Sequence, residues 1–168
     1  MSPMVRTFGE LAEGERSLAG GKGGTLARLA QAGYPVPDGF VILPTAFAGD
    51  ELTAGAWAQV QAHLGRLRKG TSSSSFAVRS SALSEDSAQA SFAGEFETVL
   101  GADGDQVIRD AIHSVRRSRH AERVRAYSEA KGIHPLHDMA VVLQRMVPAE
   151  FSGVLFTADP VSGSRSQM

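Results

Sequence analysis

The sequence contains no cysteine, and this absence excludes several kinds of chemistry at once. Disulfide bonds, zinc–thiolate centres and catalytic thiols all require the Cys side chain. The chain also lacks an apolar run long enough to span a bilayer, and its N-terminus lacks the apolar core of a signal peptide. We therefore expect a cytoplasmic protein with no membrane partner.

Neither sign of charge dominates the chain. Its 17 Lys and Arg residues against 18 Asp and Glu residues leave a formal net charge of −1. This balance argues against general binding to nucleic acid or to a membrane surface, because both attract strongly basic proteins. The 168 residues, of which 42% are apolar, suffice for one domain or two small subdomains with a sizeable core.

Helical patterns occur in four places. Leu26, Leu29 and Ala30 have the spacing of one helical face, and Gly33 ends that helix as its C′ residue. A second helix is predicted from about Thr45 to Arg68. The remaining two are a helix with Asp105 as N-cap and an apolar stripe, and a helix over about 120–131; the stripe consists of Val107, Ile108, Ala111, Ile112 and Val115.

Extended patterns lie between these helices. The predicted strands are Gly39–Leu43, Phe76–Arg79, Met139–Leu143 and Phe151–Thr157, together with a hairpin-like element over Phe92–Leu100. The Met139–Leu143 run is apolar throughout, which is typical of a strand buried on both faces. This mixture of elements leaves α+β and α/β folds open.

A glycine-rich segment at residues 20–24 opens the first helix. Helix N-termini present free N–H groups and a positive dipole end that attract phosphate, and Lys22 would add a mobile charge. The segment is not a Walker A loop, because Arg16 stands at the first glycine position and Gly23 follows the lysine. The alternative interpretation is a flexible, solvated helix start that binds nothing.

The segment from Phe76 to Phe92 carries the most informative pattern in the chain. An apolar strand leads to Arg79 and two serines, Ser80 and Ser81, and a loop of small residues follows. The guanidinium offers a planar set of donors that matches phosphate oxygens, and it remains charged at any relevant pH. A guanidinium beside hydroxyl groups and a glycine turn suits an anionic ligand, above all phosphate.

Arg79 by itself has a simpler interpretation. An isolated arginine at a strand end is more often part of a surface ion pair, here with Glu85 or Asp86. The combination with Lys22 and Gly94 favours phosphate instead. This hypothesis requires Lys22 and Arg79 to face a shared cleft.

Two further groups of residues receive simpler interpretations. Five arginines form a basic cluster that is compatible with a nucleic-acid-binding helix, but no aromatic residues interleave with them, so we favour a solvated helix face. They are Arg116, Arg117, Arg119, Arg123 and Arg125. The five histidines show no metal-ligand spacing on a common element, so we predict no metal site among them; they are His63, His113, His120, His134 and His137.

Three segments taken together resemble a known family. They are GGKGGTLARLAQAGYPVPDGFVI, FAVRSSALSEDSAQASFAGEFETVL and VVLQRMVPAEFSGVLFTADPVSG. In order and spacing they are similar to the nucleotide-binding domain of the pyruvate, phosphate dikinase and phosphoenolpyruvate synthase superfamily, which rifampicin phosphotransferases share. The resemblance covers most of the chain and implies an α+β fold of the ATP-grasp type, with ATP between two halves.

The resemblance also implies roles for particular residues. Lys22 and Arg79 would contact the phosphates of ATP. Gly94, with Thr98 just beyond it, would belong to a loop that folds over them. Residues 144–147 would form the linker against which adenine packs, so that Gln144, Met146 and Val147 contact the base and the backbone of the last two reads its edge.

The parent activity implied by the resemblance is transfer of a phosphoryl group from ATP to an enzyme histidine and then to a small acceptor, most simply pyruvate. The alternatives are a rifamycin-type antibiotic as acceptor and a nucleotide-binding module without catalysis. No catalytic residue is assigned within this chain. The histidine and acceptor domains, and the ligands of Mg²⁺, are expected beyond residue 168.

The domain organisation follows from the same resemblance. Residues 1–168 would be an incomplete ATP-grasp domain, with a phosphate-binding subdomain over about 1–100. Residues from about 101 to 168 would supply helices and the adenine-linker strands, cut short after an apparent strand and turn. We expect the isolated segment to be inactive.

Overall fold

A mixed helical and sheet structure is present, so the predicted α+β class is confirmed. The computed structural model describes residues 4–69, 75–83, 86–87, 90–91, 96–122, 124 and 138–153. The strands are β1 Val5–Thr7, β2 Gly39–Ile42, β3 Phe47–Ala48, β4 Glu51–Leu52, β5 Phe76–Ala82, β6 Asp86–Ser87, β7 Ala90–Ser91, β8 Thr98–Ala102 and β9 Met139–Arg145. The helices are α1 Gly20–Gln31, α2 Ala54–Arg68 and α3 Asp105–Arg117, with 3₁₀ turns at Glu13–Ala19, Pro44–Ala46 and Ser118–His120.

The main sheet has five strands in the order β1-β2-β9-β5-β8. Every neighbouring pair in it is antiparallel. Strand β9 lies between β2 and β5 and is buried from Met139 to Leu143, as its apolar run predicts. Strand β5 continues past the predicted end at Arg79 to Ala82, since all of its last residues pair with β9.

Helices cover the two faces of this sheet differently. On one face α2 and α3 pack against a large apolar cluster that includes Phe40, Phe76, Val78 and Leu143. On the other face α1 packs against a smaller cluster with Val41 and Val142. Because side chains alternate along a strand, each strand contributes to both layers.

The second helix is shorter than predicted. It begins at Ala54 rather than near Thr45, and a 3₁₀ turn and the β3–β4 hairpin precede it. The side chain of Thr53 accepts a hydrogen bond from the Ala56 N–H at 3.3 Å and so caps the helix. Gly49, with φ of +65°, lies in the turn that ends β3 and leads to β4.

The third helix differs from prediction at its start. Its N-cap is Gly104, with φ of +77°, and Asp105 is the first helical residue instead of the cap. The carboxylate of Asp105 accepts hydrogen bonds from Arg68 and Gln61 of α2, which ties the two helices together. The predicted apolar stripe is buried except for Val107, which is 52% exposed.

Several predictions lie outside the described residues. These are most of the helix over 120–131, the glycine of the Phe92–Leu100 element, and the second half of the Phe151–Thr157 strand, whose first three residues are not extended strand.

Strand β9 from the second half of the sequence pairs with β2 and β5 from the first half. The subdomain division near residue 100 remains a prediction. No helix in the described ranges has both the length and the apolar character of a membrane span.

Candidate functional site

The start of α1 is fastened directly to β5. The Gly23 N–H donates a hydrogen bond to the Ser81 Oγ at 2.9 Å, and that hydroxyl donates to the Ala19 carbonyl at 2.7 Å. Gly20 has φ of +70°, and a Cβ there would lie 2.3 Å from the Ser81 carbonyl oxygen. Only glycine fits such a close approach in this backbone conformation. The interpretation of residues 20–24 as a flexible, solvated helix start is therefore wrong.

The predicted packing face of α1 is correct in part, because Leu26 and Ala30 pack against the apolar cluster under this helix, but the fully buried residues are smaller ones. Its buried residues are Gly20, Gly23 and Ala27, whereas Leu26 and Leu29 are half-buried at its edge. Small residues bring the helix backbone close to the strands, so the spacing of glycines adds a packing signal to that of Leu26 and Ala30.

Lys22 lies in the first turn of α1, immediately before the residue that binds Ser81. It is half-buried and shares one flank of the helix with Leu26 and Leu29, opposite the flank of Gly24 and Arg28. Its backbone is held against the sheet by the neighbouring hydrogen bond at Gly23. The ammonium group is thus carried by a helix whose position relative to β5 is fixed.

Arg79 lies on the same face of the sheet as the start of α1. It precedes Ser81 by two residues on β5, so both side chains point to the α1 side, about 7 Å apart along the strand. The residue is half-buried, and within the described ranges no hydrogen bond or ion pair engages its guanidinium. The side chains of Glu85 and Asp86, which the surface ion-pair interpretation invokes, lie outside the described residues.

Two other predicted residues share this face. Thr98 of β8 pairs directly with Arg79 and is exposed. Gln144 of β9 pairs with Ala77, two residues before Arg79, and its side-chain amide donates to the Pro37 carbonyl at 3.2 Å. The register therefore brings Arg79, Thr98 and Gln144 together on the α1 side. Gly94 lies outside the described residues.

Met146 and Val147 follow the end of β9. The Met146 N–H donates to the Ser75 carbonyl at 3.1 Å, and the Val147 carbonyl accepts from the Ala149 N–H at 2.9 Å. Val147 is 56% exposed. The two groups of this segment that the described hydrogen bonds leave for a ligand are the Met146 carbonyl and the Val147 N–H.

The two serines after Arg79 do not complete an anion site. Ser80 is 2% exposed and lies on the face covered by α2 and α3, while Ser81 is fully buried in its bonds to α1. The expectation of hydroxyl groups facing a ligand beside Arg79 is therefore wrong. Sequence reasoning missed the structural use of Ser81; the glycine spacing of α1, which indicates a close helix–strand contact, could have suggested it.

The three described arginines of the basic cluster bind the β3–β4 hairpin of the same chain. Arg117 pairs with Glu51 at 2.6 Å and Arg119 with Asp50 at 2.8 Å, and the Arg117 hydrogen bond lowers the pKa of Glu51. Arg116 is buried, donates to the Met139 carbonyl and stacks 4.6 Å from the centre of the Phe47 ring. Burial lowers the pKa of its guanidinium. A solvated helix face is wrong for Arg116, and Arg123 and Arg125 have no described side chains.

The histidines with described positions contact other residues of the chain. His63 is buried against Phe40, with ring centres 5.3 Å apart, and burial lowers its pKa. His113 and His120 lie beside Glu51 and Asp50, at 3.7 and 3.0 Å. In the part of the chain that the structure describes, no group of three acidic or histidine side chains is close enough to hold a metal ion.

Comparison with known proteins identifies the family of the chain. The family described as pyruvate phosphate dikinase, AMP/ATP-binding domain, matches residues 43–168. A probable phosphoenolpyruvate synthase of Methanothermobacter thermautotrophicus is 30% identical over 97% of this chain and 30% of its own length. A rifampicin phosphotransferase of a Streptomyces species is 43% identical over 60% of this chain and 12% of its own.

A third relative carries a different name. The prodigiosin synthesizing transferase of Serratia marcescens is 35% identical over 89% of this chain and 19% of its own length. The chain thus spans between 12% and 30% of the length of these three relatives. The family match covers most of the 168 residues, including strands β5, β8 and β9. The chain belongs to the pyruvate phosphate dikinase AMP/ATP-binding domain family.

Proposed function

We propose that this chain is the ATP-binding portion of a dikinase-type phosphotransferase. In the complete enzyme a phosphoryl group passes from ATP to an enzyme histidine and then to a small acceptor, with pyruvate as the acceptor that yields phosphoenolpyruvate. Membership of an AMP/ATP-binding family and relatives named as phosphoenolpyruvate synthases support this assignment. The cytoplasm, where these metabolites occur, is the proposed location.

The observation that carries the proposal is the α1 side of the sheet, where the strands present Arg79, Thr98 and Gln144 and where the helix that carries Lys22 is fastened to β5. A cation and two neutral hydrogen-bonding groups on this face, with a second cation on the helix packed over it, suit a polyphosphate, since the cations neutralise its charge. Lys22 and Arg79 hold the phosphates in this proposal, and the loop containing Gly94 and Thr98 covers them. Phosphoryl transfer depends mainly on such positioning and charge neutralisation.

The opposite end of the nucleotide is assigned to the segment after β9. Met146 lies four residues along β9 from Val142, the partner of Arg79, which separates the two ends by about 13 Å. Adenine packs beside Gln144 and Met146, and the Met146 carbonyl and Val147 N–H read its edge. This arrangement would make the domain an N-terminal portion of an ATP-grasp fold, with residues 1–168 as one incomplete unit.

In this proposal the ligands of Mg²⁺ lie outside the described residues. No described group of side chains is suited to hold a metal ion, so we assign no step to one here. The relatives are several times longer than this chain, which supports the proposal that further domains supply the Mg²⁺ ligands, the phosphorylated histidine and the acceptor site. Residues 1–168 alone would then be inactive.

The test uses the full-length protein and measures ATP affinity by calorimetry. Lys22→Ala should weaken ATP binding at least tenfold, because it removes a charge from the phosphate end. Lys69→Ala is the matched control, since Lys69 is exposed just after α2 on the opposite face of the sheet. Equal affinities for the two variants would contradict the proposal, as would a failure of the unmodified protein to bind ATP.

The acceptor has a second candidate supported by a specific observation. Identity to the Streptomyces rifampicin phosphotransferase, at 43%, exceeds the 30% identity to the archaeal phosphoenolpyruvate synthase, although over fewer residues. Incubation of the full-length protein with ATP and either pyruvate or rifampicin distinguishes the two. Phosphoenolpyruvate formation supports the first acceptor and a phosphorylated antibiotic supports the second, while ATP binding without either product supports a non-catalytic module.

A further inference from the structure

The hydroxyl of Ser81 makes two hydrogen bonds that join separate parts of the chain. It accepts from the Gly23 N–H at 2.9 Å and donates to the Ala19 carbonyl at 2.7 Å, so both its donor and its acceptor functions are used. The side chain is fully buried. No other described side chain of β5 forms a hydrogen bond to α1.

This contact is close in sequence to both of the cations that the proposed function requires. Lys22 is one residue from the N–H that binds Ser81, and Arg79 is two residues from Ser81 along the same strand face. Gly20 allows the contact, because any Cβ at this position would overlap the Ser81 carbonyl. Ser81 is therefore one of the contacts that fix the helix of Lys22 relative to the strand of Arg79.

We propose that Ser81 is a positioning residue, which holds the start of α1 in register with β5 so that Lys22 and Arg79 engage one polyphosphate together. This inference rests on the proposed function. Ser81 is buried and contacts no ligand itself. Its loss lets the first turn of α1 shift relative to Arg79, and binding of the phosphates weakens.

The test compares Ser81→Ala with Ser80→Ala in the full-length protein. Ser80 is an equally buried neighbour on the opposite face of β5, so its truncation controls for removal of a buried hydroxyl from this strand. Ser81→Ala should weaken ATP binding about tenfold, whereas Ser80→Ala should change it by less than about twofold. Adenosine, which carries no phosphate, should bind both variants and the unmodified protein with equal affinity.

A double-mutant cycle separates positioning from general destabilisation. In the Lys22→Ala background, Ser81→Ala should weaken ATP binding by less than about threefold, because the charge that Ser81 positions is already absent. If Ser81→Ala does not fold, Ser81→Cys provides the same comparison, since a thiol of similar size donates and accepts only weakly. This variant should lose part of the ATP affinity and none of the adenosine affinity.

Three results would overturn the inference. They are an ATP affinity of Ser81→Ala equal to that of Ser80→Ala, an equal loss of ATP and adenosine binding, and additive effects of Lys22→Ala and Ser81→Ala. If Lys22→Ala weakens ATP binding while Ser81→Ala does not, the proposed function stands and only the positioning role fails. If the unmodified protein does not bind ATP, both fail.

Discussion

The two faces of the main sheet differ in what their side chains do. The face under α2 and α3 is filled by large apolar residues such as Phe40, Phe76 and Leu143, which are completely buried. On the other face, α1 is attached to the sheet through glycines and one serine hydroxyl. Towards β8 this face presents Arg79 and Thr98. The first face supplies stability, and the second carries the polar groups that a ligand can use.

The largest predicted effect is a loss of stability on the face under α2 and α3, which is filled by apolar residues. Phe76→Ala should lower the free energy of unfolding by about 3–5 kcal/mol, because a fully buried aromatic ring is replaced by a cavity. Leu100→Ala is the control, since Leu100 is 64% exposed and should cost less than about 0.5 kcal/mol. Denaturant unfolding followed by circular dichroism measures both. Similar losses would mean that the cluster under α2 and α3 is not the main core.

A smaller but still large effect on stability is expected where α1 meets β5. Gly20→Ala should lower the free energy of unfolding by about 2–4 kcal/mol, because it combines a strained backbone with overlap of the Ser81 carbonyl. Gly65→Ala in α2 has open space around it and should raise stability by about 0.5–1 kcal/mol. Thermal unfolding distinguishes them, and a neutral Gly20→Ala would contradict the close contact.

A substitution on the face under α1 should change ATP binding more than the free energy of unfolding. Arg79→Ala should weaken ATP binding at least tenfold, or about 1.4 kcal/mol, while the free energy of unfolding changes by less than about 0.5 kcal/mol. Arg66→Ala, an exposed arginine on α2, is the matched control and should change neither quantity. Calorimetry and denaturant unfolding provide the two measurements. Equal losses of binding and stability would make Arg79 a structural residue.

The smallest predicted effect concerns the ion pair between α2 and α3. The Arg68 hydrogen bond lowers the pKa of Asp105, so the stabilisation is present above the ordinary pKa of the carboxyl group and is lost as the pH falls through its folded value. Asp105 is 43% exposed on its side chain, which limits the effect to less than about 1 kcal/mol.

The measurement is the stability difference between the unmodified protein and Asp105→Asn at several pH values from 7 to about 3. The difference should shrink toward low pH, and Arg68→Ala should remove the same pH dependence. A difference that is constant with pH would show that the pair contributes nothing through its charge.

Local sequence patterns predicted the strands and helices in which buried residues recur at a regular spacing. The apolar runs of β2 and β9 and the stripe of α3 are where the sequence indicates, because a periodicity of two or of about 3.6 is visible without any partner. Gly33, with φ of +83°, ends α1 as predicted. The start of α2 was missed because the β3–β4 hairpin is too short to show a period.

The assignment of polar residues depended on contacts between distant segments. Arg116 belongs to a basic cluster that looks solvated in sequence, yet its guanidinium is buried on Phe47 and bound to the Met139 carbonyl. Ser81 looks like a ligand hydroxyl beside Arg79, yet its two hydrogen bonds go to Gly23 of α1 and to Ala19 just before that helix. No local rule distinguishes these outcomes, since each depends on which element packs opposite the residue.

The sequence by itself determined the central apolar strand through its periodicity, and it determined the family through the resemblance of three segments, which in turn implied the α+β class. The tertiary structure alone decided that Arg79, Thr98 and Gln144 share one face and that Ser81 joins β5 to α1. Strand register and side-chain alternation are the physical reason: a shift by a single residue would turn Arg79 to the opposite layer.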